Sequence, residues 1–305
     1  MNLTGLRRLM VTSLRRCPEG TGVFSMVRLL FRLAVVFLLI GLFPLPVLLF
    51  GHGNLHKAIE AATLKIQASP QDAGLWLERA DLSRRHGDHD GAYRDLQKAR
   101  ELDQAAAEYN FLLGQLMVEA RWHKSARQYL DAFLKKNPGH VEALVLRAKA
   151  RQGGGDFAGS CKDYDAAIPL LKNPQPGHFL DQALVHSLNP ETGPKVALER
   201  LEAAMKRIGR VVTLQEFALQ YELQLEDYEA ALSRIDELME EAQRRERWLI
   251  RRGQVLLRAG RSGEARLAFG QVTSLVDALP PGVRERPVNQ DLKRTAEAFL
   301  AELAD

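Results

Sequence analysis

Residues 76–102 restrict the fold of this chain more than any other stretch. They read WLERADLSRRHGDHDGAYRDLQKAREL. Apolar residues at helical spacing lie on both sides of the polar turn His86-Gly87-Asp88, which predicts two amphipathic helices in a hairpin. Such a hairpin has an apolar face that it cannot bury by itself. The chain therefore has to supply neighbouring hairpins of the same kind.

The hairpin pattern returns at a step of about 34 residues. Positions are counted from the first residue of each unit. Position 8 is small in the first three units, position 20 is small in every unit, and position 24 is large and apolar. Position 8 is Ala80, Gly114 and Ala148, position 20 is Ala92, Ala126, Ser160, Ala197, Ala231 and Ala265, and position 24 is Leu96, Leu130, Tyr164, Leu201, Ile235 and Phe269.

This pattern resembles the tetratricopeptide repeat, whose consensus is W-x2-L-G-x2-Y, then A-x3-F, then P. The resemblance covers about two thirds of the chain. It implies an all-α fold, an α-solenoid in which antiparallel helix pairs form a right-handed superhelix. In this chain an N-terminal hydrophobic helix would precede the superhelix.

The period divides the chain into three units in residues 73–174, a linker at 175–177 and three units in residues 178–279. The units are 73–106, 107–140, 141–174, 178–211, 212–245 and 246–279. Residues 54–72 are predicted to form an N-terminal capping helix. Residues 280–305 are predicted to form a linker and a C-terminal capping helix that begins at Asn289. The caps would cover the apolar faces of the outermost units.

The fourth unit departs from the pattern. Proline and glycine in residues 189–194 predict that its first helix ends near Leu188. Together with the insertion at 173–177, this marks the middle of the array as its weakest joint. The joint is either a bend or a docking feature, and the residues do not choose between the two.

The first segment, residues 1–53, has a different composition from the rest. It holds six arginines and one acidic residue, for a net charge of +5, whereas the whole chain has +4, so residues 54–305 carry −1. The basic character belongs to this segment. A role in binding nucleic acid therefore lacks electrostatic support.

An uncharged apolar run of 18 residues occupies positions 33–50. Arginines precede it, which predicts a cytoplasmic N-terminus and export of the remainder. The run is either a cleaved signal peptide or an uncleaved transmembrane anchor of the inner membrane, so the expected location is periplasmic or otherwise extracytoplasmic. The true start is Met1 or Met26. Cys17 and Cys161 are predicted to form no disulfide with each other.

Two units carry opposite charges on facing helices. Position 7 is Arg79 and Arg147 in the first and third units, and position 23 of the same units is Asp95 and Asp163. We predict a half-buried ion pair across each hairpin. Arg252 occupies position 7 of the sixth unit without an acid at position 23, so we expect it to face solvent or a ligand.

The resemblance implies that the first helices of the units line a concave groove. Position 9, on these helices, is polar in every unit, and such a row suits the backbone of an extended peptide. The candidate row is Asp81, Gln115, Lys149, His186, Gln220 and Gln254, and the apolar residues beside it are Phe111, Val145, Phe217 and Ile250. The Lys and Asn of the carboxylate-clamp subclass are absent, because Leu77 and Asp81 stand in their places.

The sequence contains no HExxH, phosphate-binding loop, GxSxG or paired cysteines, so we predict no catalytic residue, metal ligand or cofactor. The predicted function is a non-catalytic scaffold or adaptor of the cell envelope that binds a protein or extended peptide. Its predicted partners include the membrane, through residues 33–50 if they are retained, and exclude nucleic acid. The alternative is a metal-dependent module or enzyme that uses the turn from His86 to His89.

Overall fold

A computed structural model describes residues 49–103 and 107–303, with side chains from residue 54 onward. Most of the predicted leader and of the apolar run 33–50 lies outside these residues, as does Cys17. Among the described residues, no helix combines the length and the apolar character needed to cross a membrane. The described residues from Ala58 onward form one compact unit.

The described residues form fifteen α-helices and one short 3-10 turn at Ile168–Leu170, and they contain no strand. The helices are α1 (Leu49–Ala68), α2 (Ala73–His86), α3 (His89–Leu102), α4 (Ala107–Glu119), α5 (His123–Lys136), α6 (Val141–Gly153), α7 (Phe157–Ala167), α8 (Pro176–Leu188), α9 (Gly193–Ile208), α10 (Val212–Gln224), α11 (Tyr228–Glu241), α12 (Glu246–Arg258), α13 (Ser262–Asp277), α14 (Pro281–Arg284) and α15 (Pro287–Glu302).

Successive helices pair as hairpins, and each hairpin packs on the next along the chain. The pairs are α2–α3, α4–α5, α6–α7, α8–α9, α10–α11 and α12–α13. The prediction of an all-α solenoid of helix pairs is confirmed. Helix α1 includes residues 49–53, which precede the predicted start of the capping helix at Asn54.

The predicted packing register is present in every pair. The six residues at position 20 have no exposed surface, and those at position 24 are at most 1% exposed. The reason for a small residue at position 8 is visible in α4, where a Cβ added to Gly114 would lie 2.7 Å from Cγ of Leu130. Position 24 of the second helix thus fills the space that position 8 of the first helix leaves.

The turns inside the hairpins share a geometry. Position 15 is left-handed in five units: Gly87, Arg121, Gly155, Glu226 and Gly260. An aspartate next to this residue caps the second helix in three of them, and Asp88, Asp156 and Asp227 accept backbone N–H groups at 2.8, 2.9 and 3.1 Å. These local interactions end one helix and begin the next within two residues.

Two predicted helix boundaries, one in the fourth pair and one at the C-terminal helix, had different outcomes. Helix α8 ends at Leu188, as predicted. Helix α15 begins at Pro287, so the prediction that Asn289 caps it is wrong. Instead Asn289 is fully buried inside the first turn and donates to the carbonyl oxygen of Val283 at 2.6 Å. Pro287 takes the first helical position because it needs no N–H partner there.

Candidate functional site

Both predicted ion pairs inside the hairpins are present. Arg79 donates through Nε and Nη2 to the two carboxylate oxygens of Asp95, each at 2.7 Å. Arg147 donates in the same manner to Asp163 at 2.9 and 2.7 Å. Both carboxylates are almost fully buried, and the hydrogen bond that Arg79 donates to Asp95 raises the pKa of Arg79 above its ordinary value. Bidentate geometry suits a planar guanidinium at a partly buried position.

A second set of ion pairs, which we did not predict, joins neighbouring units. An acid at position 25 of one unit meets an arginine of the next unit. Arg147 donates to Asp131 at 2.8 Å, Arg200 to Asp165 at 2.9 Å, and Arg252 to Asp236 at 3.0 Å, while Arg234 donates to Glu202. The recurrence of acids about 34 residues apart was the available signal. Arg252, which we expected to face solvent or a ligand, has its partner in the preceding unit, and the pair lies at an exposed position.

The first four members of the polar row at position 9 contact their own chain. Asp81 pairs with Arg84 at 2.7 Å, and Gln115 donates to Glu142 at 2.8 Å. Lys149 lies 3.4 Å from a carboxylate oxygen of Asp181. His186 is buried and lies 3.1 Å from Asp165. These side chains are thus engaged in contacts within the protein.

Phe111 and Val145, two of the four predicted apolar groove residues, also pack internally. The ring of Phe111 lies 5.0 Å from Phe133 and 4.9 Å from His140, measured between centroids. Val145 packs against the buried clusters of the third unit. Ile250 likewise packs in part against a buried cluster, whereas Phe217 is exposed.

A cleft of about 380 Å³ opens between α10 and α12, the first helices of the fifth and sixth pairs. It brings together four predicted site residues, which are Phe217, Gln220, Ile250 and Gln254. The side chain of Phe217 is 37% exposed. The side-chain amides of Gln220 and Gln254 have no hydrogen-bond partner among the described residues. Two amides that are unpaired in the described part of the chain and a partly exposed apolar surface therefore line one cleft.

Sequence analysis missed the charged lining of this cleft. Arg247 donates to Glu216 at 2.7 Å and lies over the ring of Trp248 at 5.3 Å. Arg251 lies one helical turn further along and has no acidic partner within the described part of the chain. Its pKa is below its ordinary value because the side chain is partly desolvated and because Arg258 and Arg247 repel it.

The turn from His86 to His89 has a structural role. Asp88 caps α3, and His89 lies 3.6 Å from Glu119. In the ranges 49–103 and 107–303, no group of three or more His, Cys, Asp or Glu side chains is placed to hold a metal ion. Cys161 is buried, and burial raises the pKa of its thiol. The geometry of the turn therefore gives no support to the alternative hypothesis of a metal-dependent module or enzyme.

The comparisons with known proteins bear on the fold. No protein-family model matches the sequence, and no curated protein matches it significantly. Among solved structures, YrrB, described as a TPR protein with an unusual peptide-binding site, is 18% identical with a TM-score of 0.52, over 60% of this chain and 93% of its own. A tetratricopeptide repeat protein from Parabacteroides merdae is 16% identical with a TM-score of 0.49, over 80% and 93%.

A third likeness is PilF of Pseudomonas aeruginosa, 15% identical with a TM-score of 0.47, over 75% of this chain and 97% of its own. At these identities the likenesses concern the fold alone, and the YrrB likeness is the strongest of the three. Together with the helix pairs described above, it shows that the chain has a tetratricopeptide-like fold.

Proposed function

We propose that this protein is a non-catalytic scaffold that binds an extended segment of a partner protein along the first helices of its repeats. The observation that carries the proposal is the cleft between α10 and α12. There, the amides of Gln220 and Gln254, which are unpaired within the described ranges, lie beside the exposed ring of Phe217 and the half-buried side chain of Ile250, and such a surface suits an extended backbone with protruding side chains. YrrB, which shares the fold, is described as having a peptide-binding site.

The proposal places the segment at the fifth and sixth pairs, not along the whole row. In the earlier pairs, a segment would have to displace internal partners such as Glu142 from Gln115. Leaving a buried polar group unpaired costs roughly 1–3 kcal/mol. At Gln220 and Gln254, new hydrogen bonds would form without that loss.

Site-specific photocrosslinking tests the proposed binding site. Phe217 is replaced by benzoylphenylalanine in the full chain, with Leu267, which is 68% exposed on α13, as the matched control. We expect the probe at position 217 to give one discrete adduct that maps by mass spectrometry to a single linear segment. The probe at position 267 should not give that adduct. Gln220→Ala, at an exposed side chain of the cleft, should reduce the adduct without lowering the melting temperature. Equal labelling from both positions would contradict the proposal.

We further propose that the scaffold acts in the cell envelope, exported and either released or held at the membrane by its N-terminal segment. The support is the sequence of that segment, with arginines followed by the apolar run 33–50. Alkaline phosphatase fused to the C-terminus should be active, since this reporter needs an extracytoplasmic location. Mass spectrometry of the mature N-terminus then distinguishes cleavage from retention. An inactive fusion that is stably produced would refute export.

A further inference from the structure

We infer that the partner segment is acidic, with a carboxylate side chain bound by Arg251 next to an apolar side chain seated on Phe217 and Ile250. This inference deepens the proposed function and rests on it. It specifies which side chains an extended segment must carry to bind in this cleft.

The first observation is that Arg251 differs from the other partly buried arginines. Within the described ranges, each of the others donates a hydrogen bond to an acid or to a backbone carbonyl oxygen. They are Arg79, Arg84, Arg147, Arg151, Arg200, Arg234, Arg252, Arg261 and Arg284. Arg251 has neither kind of partner in these ranges, although it is also partly withdrawn from solvent. Arg251 lines the cleft.

The second observation is the local charge. Arg247, Arg251 and Arg258 follow one another along one side of α12, because spacings of four and seven residues return to nearly the same face. Glu216, the single acid in the cleft lining, is already bonded to Arg247. The cleft therefore has positive charge left over, whereas residues 54–305 carry a net −1. A bound carboxylate would offset both the desolvation and the repulsion that lower the pKa of Arg251.

The surroundings of Arg251 favour a peptide carboxylate over the phosphates of a nucleic acid. Phe217, Trp248 and Ile250 offer an apolar surface beside the guanidinium. Binding of a polyanion relies on an extended field of basic residues, and the net charge of residues 54–305 is negative. A planar guanidinium next to an apolar surface fits a segment in which Asp or Glu lies close to a Leu, Ile or aromatic residue.

Peptide selection tests the inference. A phage-displayed library of random linear peptides is selected on the purified full-length protein, on Arg251→Gln and on Arg94→Gln, which removes one charge from an exposed site on α3. We expect selections on the wild type and on Arg94→Gln to enrich Asp or Glu next to an apolar residue. Arg251→Gln should keep the apolar preference and lose the acidic one. A peptide selected on the wild type should bind Arg251→Gln about tenfold more weakly, since a hydrogen bond to a charged group is lost.

Two further variants separate the possible failures. Arg251→Lys keeps the charge without the planar fork and should bind at an intermediate level. If selected peptides depend on Phe217, as judged with Phe217→Ala, but show no acidic enrichment, or keep it on Arg251→Gln, the inference is wrong and the proposed function stands. If no peptide is selected, or Phe217→Ala changes nothing, the proposed function itself fails. Arg251-dependent binding of a single-stranded DNA oligonucleotide that displaces the peptides would overturn the acidic-peptide assignment.

Discussion

Gly253 illustrates how a single position governs the packing of a helix pair. It occupies position 8 of the sixth unit, and a Cβ added there would lie 2.5 Å from the ring of Phe269. Gly114 has the same relation to Leu130 in the second unit. The first helix must lack a side chain at this point so that the large residue of the second helix can occupy the space. Residue volume, more than helix propensity, therefore decides what position 8 tolerates where position 24 packs this closely.

Gly253→Ala should therefore destabilise the protein. In an ordinary helix interior, glycine to alanine stabilises by about 1 kcal/mol. Here we expect the free energy of unfolding to fall by about 1–3 kcal/mol, because Phe269 must move out of a well-packed site. Urea denaturation measures the change. Gly270→Ala on α13 is the control, since a Cβ there meets nothing within 4 Å and should stabilise. Equal stabilisation by both substitutions would disprove the packing argument.

Individual residues also show why the sequence could predict only part of the candidate binding row. Helical spacing assigns Gln115 and His186 to one face together with Gln220 and Gln254, and that assignment needs only the repeat. Whether a neighbouring helix reaches those side chains depends on residues outside the pattern. Glu142 reaches Gln115, and Asp165 reaches His186, whereas nothing in the described chain reaches the last two glutamines. Contacts between units depend on residues that the repeat pattern of a single unit does not specify.

At the scale of helices, the period predicted the hairpins well because each hairpin has small, large and capping residues at the same positions. The contacts at the joint between the third and fourth pairs do not follow this pattern. Asp165 on α7 accepts hydrogen bonds from Gln182 at 2.6 Å and from Arg200 at 2.9 Å, and His186 lies within 3.1 Å. Arg207 donates to two backbone carbonyl oxygens across the same insertion. Polar contacts thus span the joint that the sequence marked as weak.

This joint should weaken in acid. Burial raises the pKa of Asp165, but hydrogen bonds from His186 and Gln182 and the charge of Arg200 outweigh it and lower the pKa below its ordinary value. A carboxylate with a lowered pKa in the folded state stabilises fully above its unfolded pKa of about 3.9, and this contribution is lost as pH falls through the folded value.

Asp165→Asn isolates this contribution. At neutral pH we expect the wild type to be more stable by about 1 kcal/mol, a modest value because the carboxylate is 35% exposed. The difference should shrink toward zero as pH falls below about 4. Urea titrations of both proteins at several pH values measure it. A difference that stays constant down to the acid limit would show that the carboxylate charge contributes nothing.

At the scale of the whole array, each pair has only its neighbours for support. Helix α15 covers the last pair, where Phe299 stacks on Phe269 with ring centroids 4.7 Å apart and Ala296 is fully buried. Stability in such an array is close to a sum of unit terms and nearest-neighbour terms. A destabilising substitution at one end of the array should therefore increase local unfolding mainly in the neighbouring helices.

Phe299→Ala provides the test. Loss of the stacked ring should cost about 2–3 kcal/mol locally, less than a fully buried phenylalanine. Hydrogen exchange followed by mass spectrometry should speed up in α12, α13 and α15 and change little in α2 and α3. Leu267→Ala, at a side chain 68% exposed on α13, is the control and should leave exchange unchanged. Uniform acceleration in every helix would instead indicate a single cooperative unit.

The acid at position 25 has an evolutionary consequence. It meets an arginine whether that arginine stands at position 7, as in Arg147 and Arg252, or at position 23, as in Arg200 and Arg234. Excision of any one of the stretches 141–174, 178–211 or 212–245 would again set an acid against an arginine at the new boundary. Loss of any one of these three repeats would therefore leave no orphaned charge at the new boundary, so the contacts between units are compatible with arrays of different length.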